Sequence, residues 1–138
     1  PCAVWFRMRH SLVEGEAPSP YQRVAVAARR SVQRFCDAGG RIAMGADTGT
    51  PFNPHGHNAR ELQYLVEAGL TPLQALRAGT AVAADLVRLP TRGRLRPGAM
   101  ADLLLVAGDP TTDILAVADR RHHRAIYKAG AQVPPGAS

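Results

Sequence analysis

The sequence predicts an α/β fold, and three observations predict it. A short, continuously apolar run, Arg41–Ala46, lies between two helical patterns and ends on Asp47, as a parallel strand buried on both faces does. Three helix starts are written in one grammar: SPYQ, NARE and TPLQ. After about Pro90 the texture turns to short apolar runs punctuated by Gly and Pro, which reads as a small β-rich unit. Helix, strand, loop, helix is an α/β unit, and functional groups in such sheets gather at the carboxyl ends of strands. Asp47 stands at that place.

Each helix start has a physical reason. A short polar side chain (Ser19, Asn58 or Thr71) can accept from a free backbone N–H, while Gln22, Glu61 or Gln74 three residues on reaches back to the cap. Pro20 and Pro72 occupy the first helical position, where a missing N–H costs nothing. Behind Ser19, Val24, Ala28, Val32 and Phe35 recur at helical spacing until Gly39–Gly40 stops the helix. Behind Asn58, Leu62, Leu65 and Val66 make one apolar face, ended by Gly69. Behind Thr71, Leu73, Ala75 and Leu76 pack one side, and Thr80 is expected to cap a further helix through Leu89. In the tail, a strand is predicted over Asp102–Ala107 after the Pro97–Gly98 turn, a helical turn over Thr111–Val117, and two strands around Ala129–Gly130. Residues 1–18 carry no clear signal, and residues 134–138 read as a frayed end.

Composition narrows the function. The 138 residues are 46 % hydrophobic and 20 % charged, ordinary for a globular chain with a real core. No apolar stretch approaches the roughly 20 residues of a spanning helix, and the first residues lack the apolar centre of a signal peptide, so a cytoplasmic chain with no membrane partner is expected. Cys2 and Cys36 form neither a disulfide framework nor a zinc-spaced cluster, and Cys36 falls on the apolar face of a helix as a small hydrophobe. The net charge of +6 comes from 16 arginines and one lysine scattered along the chain, without a basic run or interleaved aromatics. Nucleic acid is therefore not an expected partner.

Several residues could carry chemistry. Asp47, at a strand end, can ligate a divalent metal, orient a water and take its proton, or it can cap the turn that Asp47–Thr48–Gly49 begins. His55 and His57, two apart, would share a face in a strand, but Pro54, Gly56 and Asn58 make the segment a loop, where histidines touch substrate or face solvent. Asn53 can offer its amide to a substrate or start a turn with Pro54. His122 and His123 read as surface residues, and Asp102 as the group that fixes a hairpin.

Taken together, the pieces GADTGTP, HGHNARELQYLVEAGLTPLQALRAGTAVAADLVRL, GRLRPGAMADLLLVAGDPTTDI and AIYKAGAQV, in that order over Arg41–Val133, resemble the C-terminal end of the metal-dependent amidohydrolase superfamily. The likeness is to its branch of imidazolonepropionase-like and Xaa-Pro dipeptidase-like enzymes. The resemblance implies a (β/α)8 barrel with a small β-sandwich built from both chain ends. Residues 19–90 would be the last helix–strand–helix units of the barrel, with Ile42–Ala46 as its eighth strand, and residues 91–133 the returning half of the sandwich. Asp47 would be both a metal ligand and the base that activates the hydrolytic water, with Asn53, His55 and His57 beside the substrate.

The implied activity is hydrolysis of a carbon–nitrogen bond in a small-molecule amide, cyclic amide or dipeptide, using one or two divalent ions, with zinc the expected metal. The family's His-x-His pair on the first strand, the Lys or carboxylate on the fourth and the histidines ending the fifth and sixth have no counterpart here. His55-Gly56-His57 repeats the letters of the first motif but follows the last barrel strand, so that role is not transferred to it. Because a complete barrel takes about 250 residues, this chain is expected to be the C-terminal fragment of a larger hydrolase, inactive and poor at holding metal alone. The alternative is a non-catalytic barrel remnant that serves as a binding or structural module. Oligomeric state is left open.

Overall fold

The computed structural model describes residues 20–49 and 54–134, in which four helices precede the sheet and a fifth, one turn long, lies between its first two strands. The helices are α1 (Pro20–Asp37), α2 (Arg60–Glu67), α3 (Pro72–Gly79), α4 (Ala81–Leu86) and the single turn α5 (Leu115–Ala118). The strands are β1 (Leu103–Val106), β2 (His123–Lys128) and β3 (Ala131–Gln132). They form one antiparallel sheet in the order β1-β2-β3, with Leu104 opposite Ile126 and a register irregularity between Leu105 and Val106.

The helical layer is closed by short, well-specified ends. Thr71 caps α3 through a complete capping box: its hydroxyl accepts from Gln74 N at 3.2 Å, and Gln74 Oε1 accepts from Thr71 N at 2.7 Å. α2 ends where Gly69 takes φ +110, so that Leu70 N can bond back to Leu65 O at 3.1 Å. α4 ends the same way at Arg88, a non-glycine residue at φ +58, with Leu89 N donating to Ala84 O at 2.8 Å.

Leu62, Leu65, Leu70, Ala75, Ala78 and Ile114 make the buried cluster, with Val32, Cys36, Ile42 and Met44 packed against it. Ile114 belongs to the tail, so the tail shares a core with α2 and α3 rather than hanging from them. An ion-pair bridge repeats the tie on the surface. Asp85 on α4 holds Arg41, at the start of the segment that leads to Asp47, at 2.5 Å, and Arg94 of the tail at 2.6 Å. Both guanidiniums keep the Asp85 carboxyl below its ordinary value, the Arg41 hydrogen bond most.

Several sequence expectations are corrected here. Residues 41–47 form no strand among the described residues; Met44 N instead donates to Ala78 O at 2.9 Å, at the end of α3. A parallel strand is made by pairing with a neighbouring strand, and the described residues place no strand beside this segment. Asn58 does not cap α2, which begins at Arg60 with Ala59 at the cap position and no side-chain bond. The amides of Arg60, Glu61 and Leu62 are already satisfied by the carbonyls three residues earlier, so a side-chain cap has nothing left to accept.

Thr80 does not cap α4 with its side chain either, since its hydroxyl donates to Leu76 O at 2.6 Å, and the helix stops at Leu86 rather than Leu89. On α1, Val24 and Phe35 are about half exposed while Val32 and Cys36 pack inward, so the apolar face meets the core only along part of its length. Leu73 is likewise exposed, beside the fully buried Ala75. The expected cap Ser19 and the residues 1–18 lie outside the described residues, as do 135–138 of the expected frayed end.

Candidate active site

The site is built on the segment between α1 and α2. Ile42 and Met44, two residues apart, face the core and anchor the segment, and Met44 is further tied through Ala78. Gly79 makes this approach practicable: a Cβ there would stand 2.9 Å from Leu62 Cδ2 and 3.4 Å from Met44 Sδ. Beyond this anchor the chain turns sharply. Asp47 adopts φ +52 and Gly49 φ +96, with Thr48–Gly49 as the turn. Aspartate tolerates the left-handed region better than most residues because its short side chain can bond locally. Asp47 is exposed at the tip of this anchored segment.

His55 is brought to this turn. A Cβ on Gly49 would lie 3.0 Å from His55 Nε2 and 3.6 Å from its Cε1, so the imidazole edge rests on the glycine backbone. His57, by contrast, lines a groove of about 640 Å³ with Asn58, Arg60 and Tyr64 of the α2 end and Arg120 and Ile126 of the tail. Arg120 reaches close to the same loop, with Nη1 3.6 Å from the position a Cβ on Gly56 would take. Asp119, on the groove wall, is held far below the usual carboxylate range by the Arg121 guanidinium and, next, by the Arg121 amide. Asn53, the remaining candidate, lies outside the described residues.

Glu61 is the charged residue that sequence reasoning assigned a different place. It was expected to reach back to Asn58 as half of a capping box, but its side chain is buried at 2 % exposure in the first turn of α2. Its neighbours Leu62 and Leu65 are buried on the same helix, and the one available signal was its position beside that apolar face. His123 is also more than surface decoration: its Nε2 lies 2.8 Å from Val117 O and ties β2 to α5.

Among the described residues, no group of three or more His, Cys, Asp or Glu side chains converges as a divalent cation requires. Asp47 can offer one carboxylate, which by itself does not make a metal site. What the arrangement provides is an exposed aspartate on a turn, a histidine edge resting on the glycine of that turn, and a polar groove beginning at the following loop.

Residues 22–133 match the amidohydrolase family, and the chain belongs to it. Among curated relatives, ochratoxinase of Aspergillus niger is 35 % identical over 118 residues, covering 83 % of this chain and 24 % of that protein. Imidazolonepropionase of Deinococcus deserti is 33 % identical over 102 residues, 73 % of this chain and 26 % of that protein. Of solved structures, A. niger ochratoxinase superposes with a TM-score of 0.79 at 31 % identity, covering 99 % of this chain and 32 % of that one. A Xaa-Pro dipeptidase with methionine bound in its active site gives 0.72 at 27 % identity, covering 95 % and 32 %. The chain thus spans about a quarter of the length of the curated relatives it matches.

Proposed function

We propose that this chain is the C-terminal catalytic-aspartate portion of a hydrolase that cleaves a carbon–nitrogen bond in a small-molecule amide, cyclic amide or dipeptide. Family membership supports the reaction class. The observation that carries the residue assignment is Asp47 itself: exposed, in a left-handed turn, at the end of a segment anchored by Ile42, Met44 and the Arg41–Asp85 pair. On this reading residues 19–90 are the last units of a (β/α)8 barrel, Ile42–Ala46 takes its ladder partners from the rest of that barrel, and residues 91–133 belong to the composite sandwich.

Asp47 acts as the base. It takes a proton from the attacking water as the water oxygen bonds to the carbonyl carbon, then delivers that proton to the nitrogen as the C–N bond breaks. An open amide or dipeptide gives a carboxylic acid and an amine, and a cyclic amide opens to one molecule that carries the carboxylic acid and the freed N–H group. A divalent cation, with zinc the proposed metal, supplies Lewis acidity and a more acidic water when bound. Asp47 contributes one of its ligands, and the described residues do not supply the others. The family likeness supports assigning substrate contact to Asn53, His55 and His57.

The test is an assay of the full-length protein containing this chain against L-methionyl-L-proline, N-acetyl-L-methionine and hydantoin, before and after treatment with a chelator. Hydrolysis that is lost on chelation and restored by zinc is the expected result. No hydrolysis of any of the three would count for the non-catalytic barrel remnant instead.

A further inference from the structure

We propose that His55 is a positioning residue: its imidazole, seated on Gly49, holds the turn that carries Asp47 in the geometry its proton transfer needs. The inference rests on the reading of Asp47 as the base, and it gives His55 a role other than substrate contact.

Three observations carry it. The first is the seat. His55 Nε2 would be 3.0 Å from a Cβ on Gly49, closer than most side chains tolerate, so the ring occupies the space that any other residue at position 49 would fill. The second is the turn it rests on. Asp47 at φ +52 is a non-glycine residue in the left-handed region, and such backbone persists where surrounding groups over-determine it, while Gly49 at φ +96 supplies the bend on which the ring sits. The third is the way His55 is presented. Pro54 precedes it with a fixed φ, Gly56 follows at φ +84, and Arg120 Nη1 from the tail lies 3.6 Å from where a Cβ on Gly56 would be. The groove wall runs through Gly56, His57 and Asn58, whereas the His55 ring lies on Gly49.

A displaced base loses rate before it loses affinity, because catalysis depends on near-attack geometry and a misplacement of about 1 Å can cost ~100-fold. The experiment compares His55→Ala, His55→Gln, Gly49→Ala and Asp47→Asn in the full-length protein, on whichever of L-methionyl-L-proline, N-acetyl-L-methionine and hydantoin the wild type hydrolyses. His55→Ala should lower kcat by about 10- to 100-fold with KM changed less than about 3-fold. His55→Gln, which keeps a planar group of similar reach, should recover most of the loss. Gly49→Ala keeps the imidazole but pushes a methyl into it and strains the backbone at φ +96, so it disturbs the same turn and should show the same kcat-specific defect, which covers the case in which His55→Ala does not fold.

A rise in KM at unchanged kcat would make His55 a substrate contact and overturn the proposal. So would wild-type kinetics in both His55→Ala and Gly49→Ala, or a kcat loss that His55→Gln does not recover. If Asp47→Asn is inactive while His55→Ala is unaffected, only this inference fails. If Asp47→Asn retains full turnover, or the wild type hydrolyses none of the three, the underlying reading fails and the inference with it.

Discussion

At Asp102 a single carboxylate closes the β2–β3 hairpin. Its Oδ1 accepts from Ala129 N at 2.9 Å, while Oδ2 pairs with Arg92 at 2.5 Å and Lys128 at 3.2 Å. Ala129 itself sits at φ +50, so the carboxylate supports a backbone that alanine rarely adopts. The Ala129 amide, more than Lys128 or Arg92, holds the Asp102 carboxyl below its ordinary value of 3.8. A folded-state value below the unfolded one means the unfolded chain binds the proton more readily. Asp102 therefore stabilises the fold above about pH 4, and that contribution fades as pH falls through the lowered value. A carboxyl-carbon NMR titration should place the Asp102 midpoint below 3.8; a midpoint at or above it would remove the Ala129 bond from the account.

A second residue-scale prediction concerns the core: Leu65, 4 % exposed, should cost about 2–5 kcal/mol on replacement by Ala, read from the urea midpoint of the full-length protein. The role of Asp102 was legible in the sequence because a hairpin needs a local acceptor. The burial of Glu61 was not, because a glutamate three residues after an asparagine satisfies the capping pattern whether or not it points inward.

Helix ends show which local signals decide an element and which do not. TPLQ becomes a full capping box at Thr71 because the chain enters α3 extended, with Thr71 at ψ 155°, leaving the Gln74 amide free for the hydroxyl. NARE fits the same pattern, but there the chain enters α2 already turning, with Ala59 at ψ −20°, and backbone carbonyls take the first amides. Entry direction is set by what precedes the helix in space, and no window of four residues contains it. Thr71→Ala should therefore weaken α3 by about 1 kcal/mol. Hydrogen exchange of the Gln74 amide should quicken about 5-fold, since each 1.4 kcal/mol is worth tenfold. Asn58→Ala should leave the first amides of α2 unchanged, and faster exchange there would restore the sequence-based cap. The sheet was legible at both strands of the hairpin, since HRAIYK and AQ flank a two-residue turn at Ala129–Gly130.

At the scale of the whole molecule, several large apolar side chains among the described residues are left uncovered. Leu95 is 87 % exposed and Leu86 70 %, and Val24 and Phe35 leave half of their area uncovered. The apolar run Arg41–Ala46 read as a strand buried on both faces, yet Ile42 and Met44 are its residues packed on the buried cluster, and among the described residues no strand pairs with it. Strand pairing is a long-range property, and here it depends on chain that these 138 residues do not contain on the proposed reading. No helix among the described residues is long and apolar enough to cross a membrane. The 138-residue chain alone should accordingly bind ANS and melt without a sharp transition. A cooperative, metal-independent transition would favour the self-standing module. The family was legible in the order of its pieces. The role of Asp47 was not, because among the described residues no further His, Cys, Asp or Glu joins it in a group that could hold a metal ion.

The most direct test of Asp47 as the base is the turnover number of the Asp47→Asn variant of the full-length protein. It is measured on a substrate the wild type hydrolyses, with circular dichroism confirming the fold. A fall in kcat of about 100- to 10,000-fold, with the spectrum unchanged, is the predicted result. Turnover equal to the wild type would contradict the account and return Asp47 to the role of an ordinary turn residue.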